Sequence, residues 1–308
     1  MLGFDVAGQR GQVFTRADAH AAGLTDRQIS ARLRNGTFVA LRPGVYAEPD
    51  LEGRDELVAR TTAALLRLGP DAAASHRTAA NLHGLALLGP ALSLVDVTRP
   101  SAPDRTPDAL PGVRALRAGL PDRDVTEVAG LRLTTVARTV FDVARTSSFR
   151  AGVVSADSAA HIGLITAGDV VDVAARCRRW PGKRRALEVA RFLDPLSESV
   201  TESVSRVVIR DGGLPAPRTQ VVLGDADGVI GRVDFFWDEG VIGEADGLVK
   251  YSGDNPTSLV TEKLRQERLE EAGFIVVRWT WWQLFNEPDR VVARIRRALQ
   301  RAERTRCA

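Results

Sequence analysis

Cysteine is nearly absent from this chain of 308 residues, which contains only Cys177 and Cys307. Two cysteines exclude a disulfide framework and any metal site built from cysteine ligands. The chain also lacks the run of about 18 apolar residues that a membrane-spanning helix needs. Its first residues show neither the basic region nor the apolar run of a signal peptide. We therefore expect a cytoplasmic protein with no membrane partner.

Lysine is scarce as well, because three of the 42 basic residues are lysines and arginine supplies the rest. An ammonium group is compact and mobile, whereas a guanidinium is planar, so the two are not interchangeable. Lys250 follows two acidic residues, Glu244 and Asp246, in a stretch rich in strand-forming residues. An acidic cluster followed by a lysine on a small sheet is what metal-dependent cleavage of a phosphodiester needs.

Positive charge is concentrated in a few places, although the net charge is only +3. Arginines crowd three stretches of the chain, which are residues 27–42, 176–191 and 290–306. The isoelectric point of about 9.2 reflects this excess. Local clusters of this kind favour a polyanionic partner.

The length allows two or three domains, and we predict a multidomain α/β protein. Its predicted parts are a winged helix-turn-helix over residues 1–52, a mixed α/β middle domain over 53–195 and a C-terminal domain over 196–308. The middle domain shows little visible chemistry. The C-terminal domain has the predicted order helix, three strands, helix, strand and a final helix, and we expect Trp279 and Trp281 to share one buried face of its last strand.

Two helix starts stand out in the first section. Thr15 with Asp18, and Thr25 with Gln28, have the spacing of capping boxes, and Gly23 separates the two helices. Residues 37–47 then predict a two-stranded hairpin. The second helix carries residues that can reach base edges and phosphates in a major groove, and the wing adds one more. These candidate DNA-binding residues are Arg27, Gln28, Ser30, Arg32 and Arg34 on the helix and Arg42 in the wing. A protein-interaction module or a solvated helix face is the alternative interpretation.

The same segments resemble a known family. Residues 13–19, 42–47 and 75–85 are similar to the AbiEi family of antitoxin-like regulators, over about residues 10–195. The resemblance implies a winged helix-turn-helix attached to an α/β domain. It also implies binding to the promoter DNA of the protein's own operon and a nucleotidyltransferase-like toxin as partner.

Acidic residues mark the third section. Glu244 and Asp246 share a strand face, and Asp234 can oppose them from the neighbouring antiparallel strand. Three carboxylates on adjoining strands form an oxygen site suited to Mg²⁺ or Mn²⁺. Their apolar neighbours favour this interpretation, since half-buried carboxylates need a partner or a metal. A structural acidic network is the alternative.

Residues 197–285 resemble the PD-(D/E)xK nuclease superfamily, in its branch related to very-short-patch-repair endonucleases. By that resemblance Asp234 and Glu244 bind the metal and Glu202 is the acid on the preceding helix. Asp246 stands where the superfamily has its lysine, so Lys250 and Lys263 are the candidates for that role. The candidate catalytic residues are therefore Glu202, Asp234, Glu244, Lys250 and Lys263, and the candidate metal ligands are Asp234, Glu244 and Asp246.

The leading hypothesis from the sequence is a DNA-binding protein with a Mg²⁺-dependent endonuclease-like domain of restriction-endonuclease-like αβββαβ fold. The alternative is an AbiEi-type antitoxin or transcriptional repressor whose nuclease-like domain is catalytically inactive. A protein-binding scaffold is a third interpretation, and it predicts no salt-dependent affinity for DNA.

Overall fold

A computed structural model describes residues 13–49, 51–100, 110–226, 228–246 and 256–306, without the side chains of Arg54 and of residues 256–262. The described residues form two compact units. Unit 1 comprises those up to Ser147 together with Gly168–Leu187, and unit 2 comprises Ser148–Ala167 and those from Glu188 onward. Helices occur with three sheets in the described ranges, so the predicted mixed α/β class is confirmed. No described helix has the length and apolar character to cross a membrane. The boundaries predicted at residues 52 and 195 stay predictions.

The first part of unit 1 is a small sheet with two helices. Its elements are β1 (Val13–Thr15), α1 (Arg16–Ala21), α2 (Asp26–Arg34), β2 (Val39–Arg42) and β3 (Val45–Ala47). The strand order is β1-β3-β2, with both pairings antiparallel. Both predicted capping boxes are present, at Thr15 and at Thr25. Gly23 adopts a φ of +86° in the turn between the helices, a conformation that favours glycine.

The rest of unit 1 is built on a five-stranded sheet. Its elements are α3 (Gly53–Leu68), β4 (Ala73–Ala74), α4 (His76–Leu82), β5 (Val95–Arg99), β6 (Val113–Arg117), β7 (Val125–Val128), β8 (Leu131–Thr134) and α5 (Val136–Thr146). The strand order is β6-β5-β4-β8-β7. Helix α3 packs Ala59 and Ala63 against Val13 and Val45, so it is part of the core of the small N-terminal sheet.

Three helices follow in the chain: α6 (Phe149–His161), α7 (Ala167–Arg176) and α8 (Lys183–Phe192). Helix α6 belongs to unit 2. All of α7 except Ala167 belongs to unit 1, and α8 is divided between the units after Leu187.

The remainder of unit 2 follows the predicted order of helices and strands, except that a short helix separates the last strand from the final helix. Its elements are α9 (Val200–Asp211), β9 (Arg218–Asp225), β10 (Gly228–Trp237), β11 (Val241–Asp246), α10 (Pro256–Glu271), β12 (Ile275–Thr280), α11 (Trp281–Asn286) and α12 (Pro288–Arg306). The strand order is β12-β11-β10-β9, in which β11 and β12 are parallel and the other pairs antiparallel. Leu223, Val233, Ile242 and Leu269 form a core cluster between this sheet and α10.

A helix begins directly after the last strand, which ends at Thr280. Trp279 is 1% exposed and its Nε1 donates to Ser205 Oγ at 2.8 Å, so its predicted burial is observed. Trp281, however, is the first residue of α11, because Thr280 and Gln283 form a capping box. The prediction that both tryptophans share a strand face is therefore wrong.

A buried guanidinium connects α5 of unit 1 to Asp124, the residue before β7. Arg138 on α5 is fully buried, and its Nε donates to Asp142 Oδ2 at 2.8 Å. Its Nη1 donates to Asp124 Oδ2 at 3.0 Å, and Arg176 of α7 reaches the other oxygen of Asp124 at 2.8 Å. Buried charges are tolerated only when they are paired in this manner.

Replacement of Arg138 tests the contribution of this network. Arg138→Met leaves Asp142 without its Arg138 bond and Asp124 with one partner fewer, and we expect it to lower the free energy of unfolding by about 3–5 kcal/mol. Urea denaturation followed by circular dichroism measures the change. Arg184→Met, at an exposed position of α8, is the matched control and should shift stability by no more than about 0.5 kcal/mol. Equal stability of the two variants would contradict a structural role of the network.

A buried histidine makes unit 1 sensitive to pH. The pKa of His76 is lowered from 6.5 to about 4, chiefly by burial; Arg145 and Arg114 act in the same direction, whereas Asp142 and Asp96 oppose the shift. The unfolded chain therefore binds a proton between about pH 6.5 and 4 that the folded chain excludes. We expect the free energy of unfolding to fall, as pH decreases through this range, by on the order of 3 kcal/mol.

The His76 contribution is measured by urea denaturation from pH 4 to 7. His76→Asn should flatten the dependence, and asparagine tolerates the φ of +49° at this position. His161→Asn, at an exposed histidine of α6, should leave the dependence unchanged. Identical pH profiles for wild type and His76→Asn would contradict the assignment.

Candidate functional site

The second helix of the N-terminal part presents one face to solvent. Arg27, Ser30 and Arg34 are spaced three and four residues apart, so they lie on the same face of α2, and all three are exposed. Ile29 and Leu33 lie on the opposite face and pack with Phe14, Ala19, Leu24 and Tyr46. The apolar residues of α2 thus fix the helix against the small sheet and turn the two arginines outward.

Gln28 and Arg32, the other predicted residues of α2, have contacts within the module. The Oε1 atom of Gln28 accepts from Thr25 N at 2.8 Å and from Thr25 Oγ1 at 3.0 Å, as part of the capping box. The guanidinium of Arg32 lies 5.7 Å from the ring centroid of Phe38. These contacts hold both side chains on the flank of the helix.

Arg42 stands at the end of β2, where the hairpin turns. Its Nη1 donates to the carbonyl oxygen of Pro111 at 2.8 Å. Burial lowers the pKa of the Arg42 guanidinium, and the nearby charge of Arg60 lowers it further. Arg42 therefore links the hairpin to the five-stranded part of unit 1, which limits its reach as a contact of the wing.

The predicted acidic residues of unit 2 come together on one face of the sheet. The antiparallel register pairs Phe235 with Gly243 and Phe236 with Ile242, so Asp234 lies opposite Glu244. Asp246 follows two residues later on the same face of β11. On the other side, the parallel register places Arg278 of β12 beside Glu244.

Two guanidinium groups form ion pairs with Glu244, the central carboxylate of this face. Glu244 is 8% exposed, and Arg265 Nη2 of α10 lies 2.6 Å from its Oε1. Arg278 Nη2 lies 3.1 Å from its Oε2, so each oxygen of Glu244 has a cationic partner. Oδ2 of Asp234, the opposing acid, accepts the backbone N–H of Ala245 at 2.9 Å.

This arrangement does not fit a divalent cation as it stands. Among the described residues no group of three or more histidine, cysteine or acidic side chains is placed to hold a metal ion. A cation at Glu244 would have to displace Arg265 or Arg278 from the carboxylate. Side-chain pairing satisfies the buried charge without a metal.

The predicted helix acid has a local structural task. Glu202 is the third residue of α9, where its Oε1 accepts from Ser199 Oγ at 2.7 Å and its Oε2 accepts from Glu198 N at 3.0 Å. Gln220 Nε2 of β9 donates to the same Oε2 at 2.9 Å. Glu202 thus caps its own helix and joins it to the edge strand.

Of the two candidate lysines, only Lys263 is among the described residues. Lys263 is exposed on α10 and pairs with Glu267 at 3.7 Å. Lys250 lies outside the described residues.

Sequence reasoning missed Arg265 and Arg278 as the partners of Glu244. The only available signal was the parallel alignment of the last two strands, which places residue 278 beside residue 244. Arg265 lies on α10, the helix that covers the sheet, and its contact with Glu244 can be predicted only when the packing of this helix is known.

Comparison with known proteins identifies the N-terminal part. Residues 4–49 match the model of AbiEi_4, described as a transcriptional regulator and AbiEi antitoxin. The segment includes β1 to β3 and both capped helices.

Two full-length relatives come from Mycobacterium tuberculosis. They are the uncharacterized protein MT2308 of strain CDC 1551 and the uncharacterized protein Rv2248 of strain H37Rv. Each is 31% identical over 291 residues, which cover 91% of this chain and 98% of the relative. Among solved structures, the crystal structure of the RV2827C protein from the same species aligns with a TM-score of 0.44 and 18% identity, over 62% of this chain and 77% of that chain.

Proposed function

The chain belongs to the family of the mycobacterial proteins MT2308 and Rv2248. We propose that it is a transcriptional regulator that binds duplex DNA, because its N-terminal part is an AbiEi-type regulator domain. The N-terminal part is a winged helix-turn-helix in this proposal, with α2 as the recognition helix and the β2–β3 hairpin as the wing. An AbiEi-type regulator acts on the promoter of its own operon, and a nucleotidyltransferase-like toxin is the corresponding protein partner.

The outward face of α2 is the observation that carries the proposal. A recognition helix lies in the major groove and contacts bases with three or four side chains. Arg27 and Arg34 are exposed there with the small Ser30 between them, so the backbone of the helix can approach the groove closely. Arginine pairs bidentately with guanine, and serine can bond to several bases. Arg42 is a weaker candidate, since Pro111 already holds its guanidinium.

Replacement of the two outward arginines tests the recognition helix. Arg27→Ala and Arg34→Ala should each lower the affinity for a duplex from the promoter of the protein's own gene by about tenfold, the loss expected of one base contact. Fluorescence anisotropy at fixed salt measures it. Arg67→Ala removes an equally exposed arginine from α3 and should leave the affinity unchanged.

A pattern in which all three alanine variants bind like the wild type would contradict the assignment of α2. Retained circular dichroism of each variant shows that the small sheet is intact, because none of the three side chains is part of its core. A scrambled duplex of the same length reports the non-specific affinity.

We further propose that unit 2 is not a metal-dependent nuclease. The support is the pairing of both Glu244 oxygens with Arg265 and Arg278. A catalytic divalent ion needs carboxylate oxygens that are accessible to it. The buried carboxylate at the centre of this face, Glu244, has both oxygens paired with arginine. In this proposal the acids of the sheet stabilise unit 2, and the pair of Glu244 with Arg265 holds helix α10 on the sheet.

Metal binding and cleavage distinguish this proposal from the nuclease hypothesis. We expect the full-length protein to show no Mn²⁺ binding by calorimetry and no Mg²⁺- or Mn²⁺-dependent cleavage of plasmid DNA. Asp234→Asn and Glu244→Gln should then behave like the wild type in both assays. Wild-type cleavage that disappears in Glu244→Gln and persists in the surface control Glu267→Gln would overturn the proposal and restore the metal site.

A further inference from the structure

The final helix carries an unusual excess of positive charge. Helix α12 contains seven arginines and only two acidic residues, Asp289 and Glu303. The residues that bury it in unit 2 include Val291, Ile295 and Ala298. The DNA-binding helix α2 is in unit 1, so this second concentration of charge is not part of the recognition helix.

Five of the seven arginines form one line along the helix. These residues, here called the arginine stripe, are Arg290, Arg294, Arg297, Arg301 and Arg304. Their spacing alternates between four and three residues, which keeps them within an arc of about 80° on a helix of 3.6 residues per turn. The line from the first to the last is about 21 Å long. It lies away from the buried face of α12.

The stripe is not neutralised within the described structure. The guanidinium groups of Arg294, Arg297 and Arg301 form no hydrogen bond or ion pair with the described part of the chain. Arg290 pairs with Glu287 at 3.0 Å, and Arg304 Nε donates to the carbonyl of Gln300 in its own helix.

The two acids of α12 lie on another flank. Asp289 and Glu303 project from the side of the helix that carries Arg296, whose Nη2 donates to the carbonyl of Gly212 at 2.8 Å. Like charges three and four residues apart disfavour an isolated helix. The stripe therefore costs stability in the free protein, and an anionic partner would relieve this cost.

The shape of the stripe favours a linear polyanion. Duplex DNA carries about one negative charge per 1.7 Å of helix axis, so a line of about 21 Å faces on the order of ten phosphates. Guanidinium groups bind phosphate bidentately. An anionic membrane is a poorer fit, because none of the exposed large apolar side chains described for this chain lies on α12 and surface-bound helices insert an apolar face.

We propose that the arginine stripe is a second DNA contact, which binds the phosphate backbone of the duplex without reading its sequence. The inference rests on the proposed function as a DNA-binding regulator. Phosphate contacts fix register and orientation, whereas base contacts carry the specificity. In this assignment α2 selects the site and α12 adds affinity from the other unit, by the increased effective concentration of a tethered second contact.

Salt dependence of binding provides the test, since each phosphate contact contributes about 0.9 to the slope of log affinity against log salt. We expect Arg297→Gln/Arg301→Gln to lower the magnitude of this slope by about two. The same variant should bind promoter and scrambled duplexes about tenfold more weakly, with their ratio unchanged. Glutamine preserves the helix, because its helix propensity is close to that of arginine.

The matched control removes the same charge elsewhere. Arg191→Gln/Arg306→Gln changes two exposed arginines outside the stripe and should leave the slope unaltered. Arg27→Ala should instead lower the ratio of promoter to scrambled affinity. If the stripe variant shows the wild-type slope of log affinity against log salt while Arg27→Ala loses the preference for the promoter, the DNA contact proposed for the stripe is wrong. The proposed function is then still supported.

Two further outcomes decide against the proposal. Absence of salt-dependent DNA binding by the wild type would overturn both the stripe and the proposed function. Binding of the wild type to phosphatidylserine vesicles that is lost in the stripe variant, with DNA affinity unaffected, would assign α12 to a lipid surface instead of DNA.

Discussion

The ion pairs of Glu244 with Arg265 and Arg278 are the interaction on which the acidic face of the unit 2 sheet depends. A carboxylate that is almost fully buried in the middle of a sheet needs opposite charge close to it. The two guanidiniums come from α10 and from the neighbouring parallel strand β12, so the acid joins three elements in one contact. Removal of one partner from such a group costs far more than the pair contributes, because the remaining charge stays buried. The covering helix and the sheet are therefore coupled through one side chain.

The same physical rule operates in unit 1. Arg138 lies fully buried between Asp124 and Asp142, and the ring of Trp180 lies 4.6 Å from its guanidinium carbon. A chain that uses arginine for almost every cation thus places some of its guanidiniums in the interior as structural partners of acids. Counts of basic residues overstate the surface available to a polyanion for this reason. Only arginines whose guanidiniums have no protein partner contribute fully to such a surface, as Arg27 and Arg34 do on α2 and Arg297 and Arg301 do on α12.

In this chain, contacts between residues close in sequence could be predicted from the sequence, whereas contacts between distant residues could not. Both N-terminal capping boxes are local, so the spacing of Thr15 with Asp18 and of Thr25 with Gln28 predicts them correctly. The opposition of Asp234 and Glu244 was also predicted, because it depends only on strand alternation and one hairpin. The partners of Glu244 were not, since Arg265 and Arg278 are 21 and 34 positions away. Trp281 was misplaced because the cap at Thr280 competes with strand alternation and prevails.

Charge balance explains how an acidic sheet face can persist without a metal. One divalent cation and two guanidiniums carry the same total charge, so either can offset the acids at Asp234 and Glu244. They differ in what they allow: a metal leaves coordination positions for water and substrate, whereas guanidiniums present only N–H donors. The two guanidiniums stabilise the buried carboxylate of Glu244, but a guanidinium does not supply a hydroxide nucleophile as a bound metal does. The acids that suggest a nuclease in the sequence are therefore better explained as the structural centre of unit 2, and the DNA contact proposed for this unit lies on α12 instead.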